Sequence, residues 1–382
     1  MTKSSFTAEQ RLERVTASLS GRPRVQGKES LGERRLRLNR ASNLLVGVLL
    51  HAAARQDKGL PLTDLEQRVI KAATTLLPEK ELPAFGQAYR DACARGPVPV
   101  LPEAITSRPL ENGFSKADLK AALPALAKEI CAQPNVQIID VSKHNLADTE
   151  TFDGQEFAAA LGEFGRGVTI LTGPRPAADT QGVLNVRLRM TKFDCMRESG
   201  EISGSDEIFW AVGAGSDKQG KKSFVTREYG NTDVIDVPAE FDYDYNAGDT
   251  YAFIGPVDQH LSVEIQCWEA DDSSGGFYND LRSALKDFAE WAVDTSADMT
   301  EAGDDETKKG AGWAALLGIA AGLINAILGW ATNDDDLVCE RTIGFDRAAL
   351  YALRNLPDGG GYWNFDGGGV GHHRLYMATN KF

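Results

Sequence analysis

Residues 311–338 read AGWAALLGIAAGLINAILGWATNDDDLV, and the first 23 of them carry no charge before Asp334, Asp335 and Asp336 arrive together. A helix of that length spans ~35 Å at about 1.5 Å per residue, enough to cross a bilayer. Trp313 and Trp330 stand near its ends, Lys308 and Lys309 precede it, and Gly318 and Gly322 have GxxxG spacing. The finer pattern argues for packing instead. Ala311, Ala315, Gly318, Gly322, Asn325 and Gly329 fall along one helical stripe, while Trp313, Leu316, Leu317, Ile324, Ile327 and Leu328 gather opposite. Lipid asks for no such asymmetry. A helix that grips a core with its bulky side and meets a second element through glycines does. Its expected close neighbour is the amphipathic run LRSALKDFAEWAV at 281–293.

The rest of the chain places this helix. At 382 residues, with 42% apolar and 25% charged content, the sequence is that of a folded protein of two or three domains. Its net charge of −14 is uneven. Residues 1–40 hold ten Lys/Arg against four Asp/Glu, and residues 192–350 hold twelve against thirty-two. The acidic region should repel nucleic acid and anionic lipid unless cations intervene, so no nucleic-acid partner is expected. Five scattered cysteines without CxxC spacing read as core residues. The N-terminus lacks the apolar core of a secretory signal. The expected location is the cytoplasm, or export by a signal-independent secretion or injection system.

Residues 1–40 read as a basic, flexible arm, and 41–175 as a mainly helical domain. In it, TDLEQRVIKAATTLL opens with a Thr63–Glu66 capping box, and Ser115 and Asp118 stand in the same relation. Pro124 should kink or restart the helix that follows. VQIIDVS and GVTILTG, from 136 to 173, look like buried strands around the helical run EFAAALGEF. GPRPAADTQG, 173–182, is a linker.

From 183 to 382 strand signals dominate. VLNVRLRMTKF alternates, with Leu184, Val186, Leu188 and Met190 on one face. EIFWAVGA, SFVTREY, DTYAFIGPV, LSVEIQCW, LVCERTIGF and HHRLYMATN follow, mostly with short acidic or Gly-rich turns. That spacing predicts an antiparallel β-sandwich and disfavours parallel βαβ winding. More than sixty residues separate LSVEIQCW from LVCERTIGF, so a helical hairpin at about 281–332 is inserted there. The fold class expected is α+β multidomain.

Three acidic stretches meet these strands. One holds Asp194, Glu198, Glu201, Asp206 and Glu207, between the first two strands. Glu269, Asp271 and Asp272 follow LSVEIQCW, and Asp334, Asp335 and Asp336 precede LVCERTIGF. Because the last two bracket one insertion, antiparallel neighbours would bring them together. Crowded carboxylates repel unless neutralised, and Ca²⁺ takes six to eight oxygens at roughly 2.3–2.6 Å. With no suitable His or Cys nearby, zinc and copper fit poorly. The expected metal ligands are therefore Asp194, Asp206, Glu207, Glu269, Asp271, Asp272, Asp334, Asp335 and Asp336, and the expected cofactor is Ca²⁺.

Strand, cysteine, acidic loop, GSDEIFW (204–210), then CWEADD (267–272) with NDDDLV (333–338) resembles bacterial calcium-binding sandwiches of the C2-like kind. The resemblance covers about 183–382. It implies calcium held by loop aspartates at one end, here Asp194, Asp206, Asp271, Asp272, Asp334 and Asp336, and docking on anionic phospholipid. The inserted hairpin departs from that pattern, because it occupies a loop that would face the membrane.

No catalytic motif emerges. GSDKQGKKS (215–223) approaches a phosphate-cradling loop, but Lys222 stands where a hydroxyl is needed and a strand follows it. It reads as a hairpin tip. His372 and His373 adjoin on a strand and face opposite sides, so they cannot share an ion. No acid–base pair or nucleophile stands out, so a binding role is expected rather than an enzyme. The reading is a calcium-binding, C2-like interaction protein whose partner is an unidentified protein or an anionic lipid surface. The alternative is a membrane-active toxin or injected effector whose 281–332 hairpin enters a bilayer.

Overall fold

The computed structural model describes residues 6–21, 31–146, 150–173, 182–198, 207–218, 221–225, 229–230, 234–236, 251–269, 281, 283–285, 306–331, 337–354 and 361–380. The protein is α+β. Its chain divides into two compact units, Met1–Ile130 with Gly318–Asp335, and Cys131–Leu317 with Asp336–Phe382.

The described part of the first unit is helical. Helix α1 (Ala8–Ser20) begins at a Thr7–Gln10 capping box and ends at Gly21, whose φ of 61° suits the left-handed cap. Arg11 holds both oxygens of Glu81, at 2.7 and 2.8 Å, and Val15 and Leu19 are buried. The expected flexible arm therefore gives way to a docked helix, followed by α2 (Leu31–Leu38). Helix α3 (Leu44–Asp57) is buried almost all round, so it forms the centre of the unit. Helices α4 (Asp64–Thr74), α5 (Leu82–Ala94), the short α6 (Glu103–Thr106) and α7 (Lys116–Cys131) follow it. Both sequence-read caps are present, since Thr63 Oγ1 accepts from the Glu66 N–H and Ser115 Oγ from the Asp118 N–H. Pro124 lies inside α7 without ending it. Buried Leu119, Leu123, Leu126 and Ile130 hold the helix across that missing donor.

The second unit is built on two sheets. Strands β1 (Val136–Asp140), β2 (Arg166–Thr172), β4 (Glu207–Ser216), β5 (Lys221–Val225), β6 (Tyr229–Gly230), β9 (His260–Glu269) and β10 (Leu337–Asp346) form the larger, in the order β1-β2-β10-β9-β4-β5 with β6 also on β4. Strands β3 (Leu184–Arg197), β7 (Val234–Asp236), β8 (Tyr251–Val257), β11 (Tyr362–Asp366) and β12 (His372–Asn380) form the smaller, in the order β11-β12-β3-β7 with β8 also on β3. Trp210, Val263, Ile265 and Ile343 of the larger sheet share one core with Val186, Met190, Phe193, Phe365 and Leu375 of the smaller. The sheets thus pack face to face.

One expectation is corrected here. The larger sheet is mixed, because β1 and β10 both run parallel to β2. Helix α8 (Gln155–Phe164) makes the crossover between β1 and β2, and Gly167 lies under its Phe157 and Leu161. Residues 136–173 accordingly belong to the sheet unit, not to the helical domain that the sequence put at 41–175. The hairpin at GSDKQGKKS is present, joining β4 to β5 with Gly215 opposite Lys221.

The opening stretch forms helix α9 (Glu306–Ala331), inserted between β9 and β10. It serves both units in turn. In the sheet unit, Trp313, Ala314 and Leu317 pack on Val168 and Ile170 of β2. In the helical unit, Trp330 meets Phe85 edge-on, Asn325 accepts from Arg35, and the Gly329 carbonyl accepts from Arg14. The glycine stripe does meet a backbone closely. A Cβ at Gly322 would run into the Ser42 carbonyl, so the turn before α3 is a close neighbour there; of the expected run 281–293, only 281 and 283–285 are described. Leu285, from the expected partner run, instead lies against Gly213 of β4.

Candidate functional site: the acidic end of the larger sheet

The acidic stretches are best placed by strand register. Ile208 lies opposite Glu269, Phe209 opposite Trp268, and Trp268 also opposite Leu337. The beginning of β4, the end of β9 and the beginning of β10 therefore form one row on three adjacent strands. At ~4.8 Å between strands, the row is about 10 Å wide. The described strands begin or end here, at Glu207, Glu269 and Leu337, close in sequence to Asp206, Asp271–Asp272 and Asp334–Asp336. Those six aspartates themselves lie outside the described residues.

Two features stiffen the row. Phe209 and Trp268 stack across the β4–β9 pair with ring centres 6.0 Å apart and planes within 8°. The Trp268 indole N–H donates to Gln266 Oε1 at 3.1 Å, which fixes the ring. Glu269 is buried at the end of β9, and Glu207 opens β4 opposite Gly230. These two residues stand one register step apart on neighbouring strands.

Asp194 belongs elsewhere. It lies on β3 in the smaller sheet, beside inward-facing Phe193, so alternation turns it to the outer face. There its Oδ2 accepts from the Tyr376 hydroxyl at 2.8 Å, and Lys192 approaches Oδ1 at 3.6 Å. Its negative charge, with burial as the larger cause, raises the Tyr376 hydroxyl to about 12. Among the described residues no three His, Cys, Asp or Glu side chains cluster as a metal site. Trp313, Gly318, Gly322 and Trp330 lie along α9, with both tryptophans buried.

A second polar constellation in the sheet unit was missed by the sequence reading. Arg341 of β10 and Asp153, just before α8, form a two-bonded ion pair at 2.7 and 2.8 Å with both side chains fully buried. The guanidinium lies between the rings of Phe157 and Trp363, 5.0 and 4.9 Å from their centres, and donates to Thr169 Oγ1. Burial acts to raise the Asp153 carboxyl, but Arg341 and the Asn364 donors outweigh it and hold it below the usual range. Asn364 donates its side-chain and backbone N–H groups to Asp153, and its Oδ1 faces His372 Nε2 at 3.1 Å. As strand alternation requires, His372 turns outward while His373 packs inside near Phe193. The only local sign of this network was a charged pair, Glu340–Arg341, within an otherwise apolar strand.

No family model, no curated protein and no solved structure matches this chain significantly.

Proposed function

We propose that this protein is a calcium-binding interaction module, C2-like in its pair of packed sheets, whose acidic strand ends hold Ca²⁺ and present it to a protein partner or an anionic lipid surface. The observation that supports the reading most is the three-strand row, whose strand ends are close in sequence to Asp206, Asp271–Asp272 and Asp334–Asp336. Carboxylates close in sequence to strand ends about 10 Å apart suit a cation that accepts many oxygens in irregular geometry. Mg²⁺, which demands a tighter octahedron, suits them less. Asp194 is left out of the ligand set, because Tyr376 and Lys192 engage it. Metal bound only by the folded chain raises its stability by about 2.7 kcal/mol at a hundredfold excess over Kd. The expected result is a melting temperature raised by roughly 5 °C or more in millimolar Ca²⁺. It should be absent when Asp271, Asp272 and Asp336 become asparagine. An equal rise in that variant would remove the proposal.

A second reading draws on α9. Ala311–Ala331 has a mean hydropathy of 1.9, and its length is sufficient to span a bilayer. The helix is mostly buried, however, and Arg14 and Arg35 bind it through Gly329 and Asn325. Insertion would first have to break those ties. If α9 nonetheless acts on membranes, dye escapes from anionic liposomes when the protein is added, most readily after calcium is chelated. Intact liposomes across acid and neutral pH would rule this reading out.

A further inference from the structure

Asn364 has its amide orientation set by its neighbours. Its Nδ2 donates to Asp153 at 2.9 Å, so its Oδ1 is the group that faces His372 Nε2. An acceptor there requires the proton of a neutral imidazole to reside on Nε2. The second ring nitrogen, Nδ1, then carries a lone pair and stands 3.9 Å from Asp366 Oδ2. Both atoms are acceptors while the imidazole is neutral, so no direct hydrogen bond joins them until Nδ1 takes a proton. Asp366 is otherwise engaged through Oδ1, which accepts from Arg197 at 2.7 Å and from the Gly368 N–H at 2.9 Å.

We propose that His372 is a proton-operated latch on the β11–β12 hairpin, which exchanges an inward bond to Asn364 for an outward bond to Asp366 when its Nδ1 is protonated. Closing 3.9 Å to hydrogen-bond distance moves the ring by about 1 Å. That shift stretches the contact to Asn364, and with it the line of bonds leading to the buried Arg341–Asp153 pair. The groups facing the imidazole oppose one another. Asp366 from β11 and Asp153 from the segment before α8 favour the proton, whereas Arg197 from β3 and Arg374 from β12 disfavour it. Burial, the largest influence, also disfavours it, so the imidazole takes up its proton below the usual 6.5.

The consequence has a definite sign. The unfolded chain protonates first as pH falls, so stability contributed by neutral His372 is present above about pH 6.5 and is lost below it. Because Asn364 and Asp366 both lie on β11, the exchange leaves β12 tied to β11 and loosens the inner link through Asn364, whose backbone N–H donates to Asp153.

The test uses the full chain labelled with ¹⁵N-histidine, the His372 signal being the one absent from His372→Gln. At about pH 8 the latch requires the Nε2–H tautomer, and toward about pH 5 the Nδ1 resonance should move to its protonated position. Asp366→Asn should lower the proton affinity of His372 about tenfold, or one pH unit. Amide exchange at Asn364, corrected for intrinsic rates, should quicken over the same pH range in the wild type and stay flat in His372→Gln. A Nδ1–H tautomer at neutral pH would overturn the latch. So would an unshifted titration in Asp366→Asn, or acid-quickened exchange that survives in His372→Gln.

Discussion

Replacing Arg341 by methionine should lower the free energy of unfolding of the sheet unit by about 3–5 kcal/mol, read from denaturant titration. The size follows from what is left behind. Asp153 would be left with no solvent exposure, with the Asn364 donors but without its cation, and burial would then push its carboxyl up. Phe157 and Trp363 would lose the flat cation between them, although the methionine stem fills part of that space. A double variant in which Asp153 also becomes leucine should recover a substantial part of the loss, because no buried charge then remains unpaired. A single variant that costs under about 1 kcal/mol would show that the pair is not buried as described.

Glu66→Ala should have an effect of similar size, about 3–5 kcal/mol, in the helical unit. The carboxylate is buried and accepts from the Thr63 and Phe114 backbone N–H groups, both at 2.9 Å. His51 Nδ1 and Arg55 Nε each stand 3.3 Å from it. Burial works to raise its carboxyl, but these four partners more than compensate and lower it. Glu66 is therefore charged in the fold, and His51 must present Nδ1–H to it. Removing it leaves the buried Arg55 guanidinium with only the Leu110 and Pro61 carbonyls, takes the carboxylate from His51 Nδ1, and opens the capping box of α4. Thr63→Ala, which removes only the hydroxyl cap and its bond to the Phe114 carbonyl, should cost about 1 kcal/mol. The pH dependence has one sign. The stability that Glu66 supplies is complete above its unfolded value of about 4.5 and disappears as pH falls through the lower folded value.

These two clusters also show where the sequence was and was not legible. Glu66 was visible as a cap because Thr63 and Glu66 are three residues apart, and a local rule covers that spacing. Its role as a buried anchor for His51 and Arg55 was not, since burial is a property of the packed unit. Arg341 and Asp153 are 188 positions apart. Nothing local couples them; what joins them is the parallel pairing of β2 with β10. That pairing links 166–171 to 340–345 and leaves no periodic trace, so the β1–α8–β2 segment was read as part of the preceding helices. Alternation in β3 was plain, because one face is apolar and the other is not. The adjacency of the β9 and β10 ends was also legible, since a single insertion between antiparallel neighbours returns the chain to where it left. Asp194 was misplaced because a position near a strand end does not say which face the side chain takes. The asymmetry of α9 correctly signalled a close backbone at Gly322, but glycine spacing cannot say whose backbone it is.

The most direct test of calcium at the sheet end is calorimetric titration of the intact chain with CaCl₂, beside Asp271→Asn/Asp272→Asn/Asp336→Asn and Asp194→Asn. The acidic row predicts saturable heat for the wild type and for Asp194→Asn, and none for the triple variant. Heat that persists in the triple variant, or that vanishes with Asp194→Asn alone, would contradict it.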